Sequence, residues 1–175
     1  PHAHEECRAE SHVKLVDFGS TSMVPLSEID SMNADAVFPM PQRGALSSMS
    51  PERLRAEPYG SKADVWSVGV ALLHAARGGQ HPFLAPARAF VAQQPACADP
   101  SATKFWRLCA ATGCTSDLAS SECVSRSAVT AALNDCALGR ENDRFRAFIR
   151  HALQADPRKR ASIDDLLASD WIRGP

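Results

Sequence analysis

The residues Asp17-Phe18-Gly19 close the alternating run His12-Val13-Lys14-Leu15-Val16 and offer the first chemistry legible in the chain. An aspartate at the mouth of a loop can hold Mg²⁺ against nucleotide phosphates, and a glycine after it lets the backbone turn sharply. Taken alone, the tripeptide is equally an ordinary strand-to-turn junction. Further groups follow in a definite order. Met49-Ser50-Pro51-Glu52-Arg53-Leu54 precedes Tyr59-Gly60-Ser61-Lys62-Ala63-Asp64-Val65-Trp66-Ser67-Val68-Gly69-Val70, and after Pro82-Phe83 comes Asp156-Pro157-Arg158-Lys159-Arg160. Asp64 lies in the first turn of an apolar helix and needs hydrogen-bond partners if it is enclosed; a capping role alone would also satisfy it. Glu52 and Arg160, taken by themselves, read as surface charges. The six cysteines match neither CxxC pairs nor a CxxC and HxxxH zinc spacing, so they read as reduced thiols. One disulfide among Cys109, Cys114, Cys123 and Cys136 stays open in an oxidising compartment.

The elements that must position these groups are mostly helical. His12 to Val16 predicts a short strand. Residues 20–50 are rich in Ser, Pro and Met without a sustained period, and a loop of that length in a compact chain is usually functional or regulated. Ser61-Lys62-Ala63-Asp64 has the form of a capping box and predicts a helix to about Arg77, apolar nearly all round and therefore surrounded by other elements. Gly78-Gly79 ends it and Pro82 guards against continuation. Short helices are expected over 86–94 and 103–111. The Ser, Ala, Cys and Thr of 112–139 read as an insertion with one helix near 126–136. Behind Asn142-Asp143, the spacing of Phe145, Phe148, Ile149, Ala152 and Leu153 predicts a helix with one packed face. Ser162-Ile163-Asp164-Asp165 is a second capping box before a terminal helix through Leu166, Leu167, Trp171 and Ile172.

Composition bounds what these elements can be. The chain has 175 residues, 45% apolar and 22% charged, enough for one globular domain with a core of its own. Nineteen basic against twenty acidic residues give a net charge of -1, with no basic run longer than Arg158-Lys159-Arg160, so the footprint of a nucleic-acid or anionic-lipid binder is missing. The longest apolar stretch, 65–76, falls short of the roughly 20 residues of a membrane span. The first residues lack the basic start and apolar run of a secretory signal. No initiator methionine opens the chain, and a fragment of a longer protein is expected.

The order of the motifs resembles the C-terminal lobe of eukaryotic protein kinases over nearly all the chain apart from 112–139. The resemblance implies a mainly α structure, the larger lobe of the α+β kinase fold truncated before the N-lobe and catalytic loop. Its one partial domain would span 1–173: strand and Asp-Phe-Gly at 11–19, activation segment at 20–52, central helix at 61–77, insertion at 112–139 and C-terminal helices at 142–172. It implies that Asp17 binds magnesium and that Asp17, Phe18 and Gly19 face the nucleotide. Gly44, Ala45, Met49, Ser50 and Pro51 would shape the peptide site, with Ser50-Pro51-Glu52 a variant of the Ala-Pro-Glu motif. Glu52 would pair with Arg160, and Asp64 would anchor the backbone of the catalytic loop. ATP, Mg²⁺ and a protein substrate are the implied cofactors and partners, and the cytoplasm the implied compartment. Among the loop hydroxyls, Ser27, Ser31, Ser47 and Ser48 are candidate phosphorylation sites.

Departures from the pattern bear on activity. None of the six histidines begins His-Arg-Asp, none of the nine glycines builds G-x-G-x-x-G, and no V-A-I-K-like segment occurs. The catalytic-loop aspartate of the family would fall just ahead of Pro1, and Ala3 or His4 stands where a metal-binding Asn is expected. Ala45 replaces the threonine usual in Ser/Thr kinases, and Ser48 stands where tyrosine is common. The expected parent is a Ser/Thr-type kinase whose fragment here does not catalyse alone. The alternative is a pseudokinase or docking module that keeps the lobe for protein binding.

Overall fold

Alanine, leucine and valine crowd the stretch after Ser61, and it forms the longest helix of the computed structural model, which describes residues 13–21, 23, 44, 46–54, 57–83, 129–136 and 142–174. In chain order the described elements are a 3-10 turn at Phe18–Ser20, a second at Leu46–Ser48, and then helices. These are α1 (Pro51–Leu54), α2 (Lys62–Ala76), α3 (129–134), α4 (Asp143–Ala152), α5 (Ile163–Leu167) and α6 (Asp170–Arg173). The helices expected over 86–94 and 103–111 lie outside the described residues.

The two ends of α2 are made differently from each other. Ser61 adopts helical angles and its side chain makes no cap bond to the helix, so the expected capping box is not formed there. The first amide donors instead reach backbone: Ala63 N–H bonds Gly60 O at 2.9 Å and Asp64 N–H bonds Ser61 O at 3.0 Å. At the other end the chain turns left-handed at Gly78, with φ 64°, and at Gly79, with φ 83°. Gly78 N–H then bonds Ala75 O at 3.0 Å and Gly79 N–H bonds His74 O at 3.1 Å, the paired bonds of a Schellman stop.

One broad side of α2 is buried through Ala63, Val65, Trp66, Gly69, Val70 and Leu73. The opposite stripe, Asp64, Val68, Ala71 and Ala75, faces solvent. This corrects the expectation of a helix enclosed on nearly every side: apolar content all round did not translate into burial all round. Against the buried side packs α4, whose Phe145, Phe148, Ile149 and Ala152 form the anticipated stripe behind an Asn142 cap that accepts from Phe145 N–H at 2.9 Å. Trp171 of α6 closes over Phe145 and Phe148, with ring centroids 5.3 and 4.7 Å away. The Ser162–Asp165 capping box is present as read, each side chain bonding the other residue's backbone N–H.

Part of the span read as an insertion belongs to this core. Val129, Ala132, Leu133 and Cys136, on and just after α3, are buried in the same cluster as Trp66 and Ile149. Arg77 at the end of α2 ties them in, donating to Ala132 O at 3.0 Å and pairing with Asp135 at 3.3 Å. The anticipated strand before Asp17 is not formed. Residues 13–17 take no regular structure, and Val13 is 96% exposed. An alternating sequence makes a strand only when a neighbour supplies the ladder, and none of the described residues does so. No β-strand forms among the described residues, and no helix there is long and apolar enough to cross a membrane.

Among the described glycines the tightest packing is at Gly69, where a Cβ would lie 2.9 Å from Leu153 Cδ2 and 3.0 Å from Ala152 Cβ. Alanine in place of an exposed helical glycine normally adds about 0.5–1 kcal/mol of stability. Gly69→Ala is expected instead to cost about 1–3 kcal/mol through overpacking of α2 against α4, read as a lower urea midpoint at unchanged slope.

Candidate functional site

Asp17 stands at a local backbone extreme. It is the one non-glycine residue with positive φ among the described residues, at φ 62° and ψ 69°, a left-handed conformation that aspartate tolerates better than most side chains. Its Oδ1 accepts from Gly19 N–H at 3.4 Å, which caps the turn Phe18–Ser20. Its other carboxylate oxygen makes no hydrogen bond among the described residues. Asp17, Phe18 and Gly19 are all exposed. No group of three or more His, Cys, Asp or Glu side chains gathers into a metal cluster among the described residues.

The segment ending at α1 is held far more firmly. Met49 and Ser50 are buried, as is Pro51, so these residues fasten the loop to the body and do not present surface. Glu52 and Arg160 are each 2% exposed and meet in a two-pronged pair, Arg160 Nη1 to Glu52 Oε1 at 2.7 Å and Nη2 to Oε2 at 2.9 Å. Arg160 also donates to Lys62 O at 2.8 Å, Gln154 O at 2.9 Å and Ala155 O at 3.4 Å. Those contacts match its five N–H groups, and the guanidinium carbon lies 5.2 Å from the Trp66 ring centroid. Burial alone would raise the Glu52 carboxyl, but the Arg160 hydrogen bonds and charge outweigh it and hold the group below its ordinary 4.5.

Arg160 is aimed by the turn that contains it. The Asp156 carboxylate accepts from Arg158 N–H at 2.9 Å, and its backbone oxygen takes Lys159 N–H and Arg160 N–H at 3.0 and 3.1 Å. The side-chain bonds from Arg158 keep Asp156 ionised below its usual range. Asp64, by contrast, is exposed: its N–H bonds Ser61 O, and its carboxylate makes no hydrogen bond among the described residues. Gly44 sits at φ 101°, a conformation that suits glycine. Ala45, Ser27 and Ser31 lie outside the described residues. Ser47 and Ser48 are half-buried.

The residues that grip the loop were not singled out from sequence. Ser67 Oγ on α2 donates to Ser48 O at 3.0 Å, and His81 Nε2 lies 3.0 Å from Ser47 O. A histidine directly before Pro82-Phe83 was the available signal, since Phe83 is buried and stacks on Trp66 at 6.2 Å.

The family model for the protein kinase domain matches residues 7–172 of the chain, spanning every described element except the last residue of α6. Glu52→Gln is expected to cost about 3–5 kcal/mol in urea unfolding, because it leaves the Arg160 charge buried without its partner. Arg160→Lys should be nearly as damaging, since an ammonium cannot reproduce the fork. The folded Glu52 carboxyl lies below 4.5, so its contribution is fully present above that pH and is lost as pH falls from 4.5 through the folded value. Stability measured against pH should show that acid loss in the native chain and lack this component in Glu52→Gln.

Proposed function

The chain belongs to the protein kinase domain family, and from that premise we propose that it is the C-terminal-lobe part of a protein serine/threonine kinase. Such an enzyme transfers the γ-phosphoryl group of ATP to a protein hydroxyl. The observation that carries this reading is Asp17: an exposed carboxylate at a left-handed turn, with Gly19 behind it and only one of its oxygens engaged in that turn. Mg²⁺ at nucleotide sites is commonly held by one or two carboxylates together with phosphate oxygens and water, and a single exposed aspartate fits one of those places. Bound there, the ion would neutralise charge on the phosphates.

The loop from Gly44 to Pro51 is the peptide-facing segment in this reading. Its buried end at Met49–Pro51, with the Glu52–Arg160 pair behind it, gives that segment a rigid base. Phosphoryl transfer works by positioning and charge neutralisation, and it needs a phosphate lysine and a base or orienter besides the metal ligand. The 175 residues contain neither His-Arg-Asp nor G-x-G-x-x-G, so this chain by itself does not perform the transfer. A second reading, a lobe kept for protein docking without catalysis, is favoured by Ala45, which lacks the hydroxyl usual at that position.

Transfer of labelled γ-phosphate from Mg-ATP to casein or myelin basic protein separates the two. The protein translated from the full transcript should label the substrate, the 175-residue chain alone should not, and Asp17→Ala in the full protein should lower the rate by roughly 10²-fold or more. Asp17 is exposed but stands in a left-handed conformation and caps its own turn, so that change should lower thermal stability by no more than about 1–2 kcal/mol. ATP binding by the full protein without any transfer would overturn the enzyme reading in favour of the docking one.

A further inference from the structure

Two consecutive carbonyls of the turn Leu46–Ser48 are held by side chains from elsewhere, Ser48 O by Ser67 and Ser47 O by His81. The protonation state of His81 follows from its neighbours. Phe83 N–H, which can only donate, points at Nδ1 from 3.2 Å, so that nitrogen carries a lone pair. The proton of a neutral ring is then on Nε2, and it donates to the Ser47 carbonyl, which can only accept. Both ring nitrogens are thus satisfied by one form of the imidazole.

We propose that neutral His81 is a positioning residue for the loop leading into Met49, and that protonating it releases this loop, making the segment sensitive to pH. A proton on Nδ1 would face the Phe83 N–H and replace a hydrogen bond with two opposed donors. Phe83 cannot swing aside at no cost, because its ring is 1% exposed, stacked on Trp66 and edge-on to His81 at 6.1 Å. From α2 the titratable group facing His81 is His74, with ring centroids 5.6 Å apart. The His74 Nε2 donates to Gly79 O at 2.6 Å, a bond that either charge state of His74 can make. Arg77, at the end of the same helix, is turned away to Ala132 O and Asp135, and the loop side contributes the uncharged Ser47 and Ser48. Burial holds the His81 imidazole below its ordinary 6.5; the Ser47 bond pulls the other way and His74 adds to the depression. The released state therefore binds a proton first: the contact is fully present above 6.5 and weakens as pH falls from there toward the docked value.

The importance of the loop rests on the peptide-site reading above, whereas the imidazole contact does not. The test is a ¹H–¹⁵N titration of the histidine rings and of the amides of residues 47–49 in the 175-residue chain, from about pH 8 to about pH 5. The expected result is a His81 ring with its proton on Nε2 at neutral pH, a midpoint below 6.5, and loop amides that shift with the same midpoint. His74→Asn should move that midpoint upward, and His81→Gln should keep the amide donor to Ser47 O while abolishing the pH response of the loop. If either variant fails to fold, the native titration decides alone. A ring proton on Nδ1, a midpoint at or above 6.5, or loop amides indifferent to the His81 titration would overturn the inference. None of these signals needs ATP or peptide, so failure of the kinase reading would appear as missing phosphate transfer with the titration unchanged.

Discussion

A guanidinium buried to 2% exposure is expensive unless every N–H finds an acceptor, and Arg160 meets that demand only by drawing on three separate parts of the chain. Glu52 comes from α1, the Lys62 carbonyl from the first turn of α2, and the Gln154 and Ala155 carbonyls from the stretch after α4. None of these can shift without stranding a charge that water does not reach. The consequence is geometric: the end of the loop before α1, the start of the long helix and the C-terminal helices are registered to one another at a single side chain. A well-packed apolar cluster could supply similar stability. It would not impose the same register, because dispersion contacts are non-directional whereas the fork accepts one orientation.

That register carries outward to the candidate site. With Glu52 fixed, Met49 and Ser50 are buried directly before α1, and the two preceding carbonyls come within reach of Ser67 and His81. Trp66 lies beneath Arg160 and stacks on Phe83, whose backbone N–H in turn engages His81. Guanidinium, indole, phenyl ring and imidazole therefore form one connected path from the ion pair to the loop. Asp17 stands apart from this path, on an exposed turn held locally by its own carboxylate. The metal-ligand candidate and the peptide-loop candidate thus differ in how they are supported: one by a three-residue turn, the other by the core.

Much of this was legible in the sequence, for reasons that differ by element. The α4 stripe and the Ser162–Asp165 box depend on spacing within a few residues, and local spacing is what a sequence displays. Ser61-x-x-Asp64 has the same form and makes no such box, because the helix there begins on backbone bonds from a residue already in helical angles. The strand before Asp17 failed as a reading since a strand is a property of two segments and only one was in view. The Glu52–Arg160 pair joins residues far apart in the chain, and only the resemblance to a family suggested it. His81 escaped notice because its role depends on which backbone groups converge on its two nitrogens. Its place directly before Pro82-Phe83 marks the residue but does not report that convergence. The one helix expected near 126–136 is present as α3, but four buried side chains around it are too few to set up a period that announces their place in the core.

The Glu52–Arg160 fork acts as a unit and organises the segments around it, and a double-mutant cycle puts this to the test. Glu52→Gln, Arg160→Met and the pair together would be compared by urea unfolding. Coupling predicts that the double variant is more stable than the sum of the single losses implies, by about 1–3 kcal/mol. Losses that add to within about 0.5 kcal/mol would contradict it, leaving two independent side chains and no common anchor for the loop.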